Sequence, residues 1–156
     1  MTYAKGTTVS RSKSRAEIEA TLERFGCEGF MSGQDGRTAV TAFKARGRQI
    51  MFRMTMPDPD DAFFRLTPTG KARSAPSATE AYEQEVRRMW RAMAMSIKAK
   101  LVSVEDGIET FEQAFMAHVV MPDGLTISDH VSERIAVAYE TGDMPRLLPG
   151  PKGDET

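Results

Sequence analysis

The sequence predicts an α+β fold in which a small antiparallel three-stranded sheet, over about residues 28–56, packs against a long amphipathic helix over about 78–105 and against shorter helices, in the order α-β-β-β-α-α-α. Three observations carry that expectation. Alternating segments are separated by the turn formers Gly33-Gln34-Asp35-Gly36 and Arg46-Gly47. A single apolar stripe then repeats at three- and four-residue steps over about seven turns. At several helix starts Ser or Thr stands three residues before Glu or Gln, so that each side chain can satisfy an unpaired backbone N–H. The length of 156 residues suits one core. A single domain is therefore expected over 1–144, followed by a flexible, Pro- and Gly-rich tail over 145–156.

Met1 to Lys13 carries few apolar residues and reads as a loosely held arm, with Thr7-Thr8-Val9 able to add a short edge strand. Ser14 and Glu17 form a capping box, Ile18, Leu22 and Phe25 follow on one face, and Gly26 stops the helix. Strands are expected at about Glu28–Ser32, Thr38–Ala45 and Arg48–Met56. A two-residue turn at Arg46-Gly47 sets Phe43 opposite Ile50, Thr41 opposite Phe52 and Ala39 opposite Met54 on a core face. The other face then carries Val40, Ala42, Lys44, Gln49, Met51 and Arg53. Pro57-Asp58-Pro59-Asp60-Asp61 ends the sheet, because proline has no N–H for a ladder. Residues 62–76 read as a long loop pinned by Phe63, Phe64 and Leu66.

A second capping box, Ser77 with Glu80, opens the long helix, whose stripe runs Tyr82, Val86, Met89, Trp90, Met93, Ile97, Leu101 and Val104. Glu80, Glu83, Arg87, Arg91 and Lys98 lie on the opposite side, where i,i+4 pairing such as Glu83 with Arg87 is worth ~0.3 kcal/mol. Asp106-Gly107 ends this helix, and Thr110 with Gln113 opens another that carries Phe111, Phe115 and Val119. Around Pro122-Asp123-Gly124, the segments Ala117–Met121 and Leu125–Ile127 fit either a helix and turn or a small hairpin. Ser128 caps the last helix, with Val131, Ile135 and Tyr139 as its stripe and Gly142 as its stop.

Composition narrows the function classes. No apolar run approaches the ~18–20 residues that span a bilayer, and the start lacks the apolar core of a signal peptide, so no membrane partner and a cytoplasmic location are expected. Cys27 is the only cysteine, which excludes an internal disulfide and a multi-cysteine zinc site. The 11 Met suit a plastic core or an adaptable binding surface. The net charge of −1 conceals a division: residues 1–104 hold 18 Lys/Arg against 11 Asp/Glu, whereas residues 105–156 hold 3 against 11. Such asymmetry hints at a polyanion-binding part joined to an acidic part.

Constellations for catalysis are thin. Gly33 and Gly36 precede a strand with no Gly-Lys-Ser/Thr, which describes a hairpin turn and not a phosphate loop. His118 and His130 lie twelve apart outside any H-E-x-x-H frame, and no serine stands in a G-x-S-x-G setting. Asp58, Asp60 and Asp61 lie between prolines in a strand-ending turn and read as a solvated loop. No catalytic residue, metal site or cofactor is therefore expected. What remains is basic: Arg37, Lys44, Arg46, Arg48 and Arg53 follow one another with no acid between them, and Arg46 and Arg48 flank a turn tip that could track a phosphate backbone. The same residues would also protect a sheet edge against aggregation.

Two stretches carry a likeness. Gly29–Val40 through Met56-Pro57, and Arg88-Met89-Trp90-Arg91-Ala92 to Ile97–Leu101 with Phe111-Glu112 to Pro122-Asp123-Gly124, resemble an uncharacterised family of small phage and prophage proteins. The resemblance covers most of the chain except the tail and implies a mobile-element setting in a host cytoplasm, without a catalytic residue to transfer. The expected function is a non-enzymatic nucleic-acid-binding protein, with Arg37, Lys44, Arg46, Arg48 and Arg53 on the backbone and Arg87, Arg91 and Lys98 as auxiliaries. The alternative is a protein-interaction module that inhibits or regulates a host defence or replication complex through the acidic helices after Glu105 or the Met-rich surface.

Overall fold

The computed structural model describes residues 3–150. The architecture is α+β in the expected order, with one extra four-residue helix: α1 (Arg11–Arg24), β1 (Glu28–Asp35), β2 (Thr38–Ala45), β3 (Arg48–Thr55), α2 (Ala62–Arg65), α3 (Ala75–Glu105), α4 (Phe111–Phe115) and α5 (Ile127–Thr141). The sheet is antiparallel in the order β1-β2-β3. Its β2–β3 register is the one the Arg46-Gly47 turn dictates, with Phe43 against Ile50, Thr41 against Phe52 and Ala39 against Met54.

The core lies between one sheet face and the helices. Ile18 and Leu22 of α1, Val86, Trp90, Ala94, Ile97 and Leu101 of α3, and Phe111 and Phe115 of α4 pack with Phe43, Ile50 and Phe52. Phe115 stands edge-on to Phe43 at 6.0 Å and to Phe52 at 6.3 Å, an arrangement that brings positive ring edges to negative faces. The stripe expected on α3 faces this core, with Tyr82, Met89, Met93 and Val104 partly buried at its margins. On the outer sheet face Lys44, Gln49 and Arg53 are exposed, as is Met31 of β1.

Both major helices begin earlier than expected, for identifiable reasons. Ser10 caps α1 by accepting from the Lys13 N–H, because nothing in Arg11-Ser12-Lys13 resists helix; Ser14 is instead buried inside it. Ser74 caps α3 and Pro76 falls in its first turn, where a missing N–H costs no hydrogen bond. The N-terminal segment forms no strand at Thr7–Val9 and is tied down through Gln84, whose Nε2 donates to the Thr7 carbonyl at 2.8 Å. Of the three residues expected to pin the 62–76 loop, only Phe64 is buried; Phe63 and Leu66 are exposed.

The Thr110–Gln113 capping box is present, but α4 lasts five residues and gives way to a 3₁₀ turn at Met116–His118. Val119 is therefore extended, not helical: it bridges Ile50 on the free edge of β3, and the Val120 N–H donates to the Gln49 carbonyl at 2.8 Å. The hairpin alternative holds around Pro122-Asp123-Gly124, where Val120 bridges Thr126. Thr126, not Ser128, caps α5, in a reciprocal box with Asp129. Among the described residues nothing fully buries any residue of α5, and Ile135 and Tyr139 of its expected core stripe are exposed. The tail expected to be flexible lies partly at 151–156, outside the described residues; within the described part Arg134 donates to the Arg146 carbonyl. No described helix is long and apolar enough to cross a membrane.

Candidate nucleic-acid interface

The β2–β3 turn places Arg46 (φ 49°) and Gly47 (φ 74°) in the left-handed region, as a two-residue hairpin turn requires to match strand twist. For a residue with a side chain this costs about 1–2 kcal/mol. Two contacts hold Arg46 there. Its guanidinium lies 5.4 Å from the centre of the Phe111 ring, and its carbonyl accepts from Arg48 Nη1 at 2.9 Å. Arg46 thereby stands between two adjoining cavities. One, of about 390 Å³, opens between the ends of α1 and α3 and is lined by Arg24, Cys27, Leu101, Glu105 and Phe111. The other, of about 420 Å³, follows the tip past Glu28, Lys44, Arg48 and Gln49. Gly26, Ala45 and Arg46 border both.

Three cations converge on these cavities without an ion-pair partner among the described residues: Arg24, Lys44 and Arg46. Arg24 rests over the Phe25 ring at 4.9 Å from its centre. The acids Glu28 and Glu105 line the same cavities, so the local positive excess is modest. Burial pushes the Cys27 thiol up, against the pull of Arg46, which favours its protonated form.

The remaining candidates are drawn elsewhere. Arg48, although it borders the tip cavity, pairs with Glu112 of α4 at 3.1 Å. Arg53 pairs with Asp129 in the first turn of α5. The Asp129 carboxyl is held at about 2, first by the Thr126 backbone N–H and then by Arg53. Arg37 donates from Nε to the Met56 carbonyl at 2.9 Å and lies 3.8 Å from Asp58. On α3, Arg87 pairs with Glu80 at 2.7 Å and donates to Gln84 Oε1 at 2.7 Å, while Arg91 pairs with Glu17 of α1. Lys98 is half-buried and has no ion-pair partner among the described residues. Arg87 and Arg91 precede Leu101 at the hairpin end by roughly 15–20 Å of helix, so they do not extend the same surface.

The structure thus brings together Lys44, Arg46 and Arg48 of the expected set and adds Arg24, which the sequence shows only as a basic residue in the last turn of a helix, where it complements the dipole. His118 stacks on Phe52 at 3.9 Å, and burial followed by the nearby Lys100 charge lowers its pKa. His130 Nε2 lies 2.8 Å from Asp123. Among the described residues no group of three or more His, Cys, Asp or Glu could hold a metal ion. Comparison with protein-family models, with curated proteins and with solved structures finds no match to this chain.

Proposed function

We propose that this chain is a nucleic-acid-binding protein of phage or prophage type that holds a phosphodiester backbone at the hairpin end, through Lys44, Arg46 and Arg24, with Arg48 in reserve. The observation that carries the reading is the convergence of three unpaired cations on two adjoining cavities, while neighbouring cations on the same hairpin are paired with acids. Such contacts position a backbone and read no bases. With three phosphates neutralised, single-strand affinity should fall with a log–log salt slope of about −2, roughly 20-fold between 50 and 200 mM salt. Fluorescence anisotropy on DNA and RNA oligonucleotides tests this. Salt-sensitive binding that weakens with Lys44→Glu and Arg46→Glu supports the reading; undetectable binding at ~50 mM salt, or binding indifferent to both changes, overturns it.

A second reading, a module that regulates a host complex, is favoured by α5. A 15-residue helix is marginal by itself in water, yet this one exposes Ile135, Val137 and Tyr139 beside Glu133 and Glu140. Its test is a stoichiometric host-protein complex that survives nuclease and is lost with Ile135→Asp and Tyr139→Asp.

A further inference from the structure

The segment between β3 and α3 is built, not slack. Asp61 accepts from the Phe63 N–H at 2.8 Å, Leu66 bridges Ala72, and the Arg73 N–H donates to the Arg65 carbonyl at 2.8 Å. Phe64 is buried and stands edge-on to Tyr82 at 5.5 Å. On this fixed base Phe63 stands edge-on to Phe64 at 5.1 Å and remains 70% exposed, forgoing the roughly 2 kcal/mol that burying a Phe contributes. It borders a cleft of about 320 Å³ whose rim carries Lys5, Arg73 and Arg88.

The charges of the cleft are unequal in availability. Arg88 is held by Glu85 through two bonds at 2.9 and 2.6 Å, and the two neutralise each other. Lys5 has no ion-pair partner among the described residues, and Arg73 uses only Nε, on the Leu66 carbonyl at 2.9 Å, which leaves both terminal nitrogens. Arg88 Nη1 also donates to the Tyr3 carbonyl at 3.4 Å, which ties the N-terminal segment to the rim of the cleft. An exposed aromatic ring flanked by uncommitted cations matches a base with its flanking phosphates, and only a single strand offers an unstacked base.

We propose that this cleft is a second, base-stacking contact for single-stranded nucleic acid, with one base against Phe63 and Lys5 and Arg73 on the adjoining phosphates. The inference rests on the nucleic-acid reading of the hairpin end but uses a different part of the molecule, since about 30 Å of α3 separates Ala81 at this cleft from Leu101 at the other. The experiment compares anisotropy titrations of an oligo(dT) and an abasic oligonucleotide of equal length. Wild type is expected to prefer the base-bearing strand by roughly 5- to 150-fold, Phe63→Ala to lose that preference with an unchanged salt slope, and Phe63→Trp to keep it. Thermal melts confirm that the variants are folded. Equal binding of both strands by wild type, or a preference that survives Phe63→Ala, overturns the stacking site while leaving the hairpin reading intact. Absence of binding to either strand at ~50 mM salt overturns both.

Discussion

The tip of the β2–β3 hairpin, with Lys44, Arg46 and Arg48, and its base, with Arg37 and Arg53, are both basic in sequence but differ in how many of their charges the fold pairs. At the tip, Lys44 and Arg46 have no ion-pair partner among the described residues and meet Arg24 across two cavities. Toward the base, Arg53 is paired with Asp129 and Arg37 lies beside Asp58. The difference is set by where the acidic C-terminal part of the chain lands. α4 brings Glu112 to the margin of the tip, and α5 begins beside β3 with Asp129. A run of like charge in sequence is therefore not yet a binding surface; what counts is which of its members the fold leaves unpaired.

Charge reversal at the tip should have the largest effect. Lys44→Glu with Arg46→Glu removes two charged contacts, each worth ~1.5–3 kcal/mol, and should weaken oligonucleotide binding by about 100-fold or more. Arg37→Glu with Arg53→Glu should change it far less in the same titration. A subtler change moves a residue from one class to the other. Glu112→Gln releases Arg48 from an exposed pair that itself stabilises little, so binding should tighten by about threefold to tenfold and the salt slope should steepen by about 0.7.

Two predictions concern the paired side. Asp129→Asn weakens both the α5 cap and the Arg53 contact and should cost ~1 kcal/mol in urea unfolding at pH 7. Because the folded carboxyl titrates at about 2, below its ordinary value, its stabilisation is complete above about pH 4 and is lost as pH falls toward 2. Wild type and variant should therefore converge at acid pH. The smallest effect belongs to His118, whose neutral form is favoured by burial behind β3. A lowered histidine pKa gives stability that is full above about pH 6.5 and is lost as pH falls below it. Unfolding midpoints should drop between pH 7 and 5, and His118→Phe, which preserves a ring on Phe52 but removes the titrating group, should flatten that profile.

Local chemistry made much of the fold legible. The Arg46-Gly47 turn fixed the hairpin register because a two-residue loop pairs Ala45 with Arg48 and so sets Phe43 opposite Ile50 and Thr41 opposite Phe52, and the stripe of α3 identified its buried side. The starts of α1 and α3 were less legible because Ser10 and Ser14, or Ser74 and Ser77, are locally similar caps, and the residues between each pair continue the helix to the earlier one. The apolar stripe of α5 was visible, but sequence periodicity says nothing about whether a partner surface exists to cover it. The candidate site was half legible for the same reason. Lys44, Arg46 and Arg48 belong to one continuous run, whereas Arg24 joins them only because α1 ends where the hairpin turns, and the partners of Arg48 and Arg53 lie far along the chain.

The most direct measurement is the salt dependence of oligonucleotide affinity, recorded for wild type, for Lys44→Gln with Arg46→Gln, and for Arg37→Gln with Arg53→Gln. On a single strand too short to span the roughly 30 Å to the Phe63 cleft, a slope of about −2 is expected for wild type, with a loss of about 1.4 from that slope in the tip variant and no change in the base variant. Equal losses in both variants, or a wild-type affinity that does not respond to salt, would contradict it.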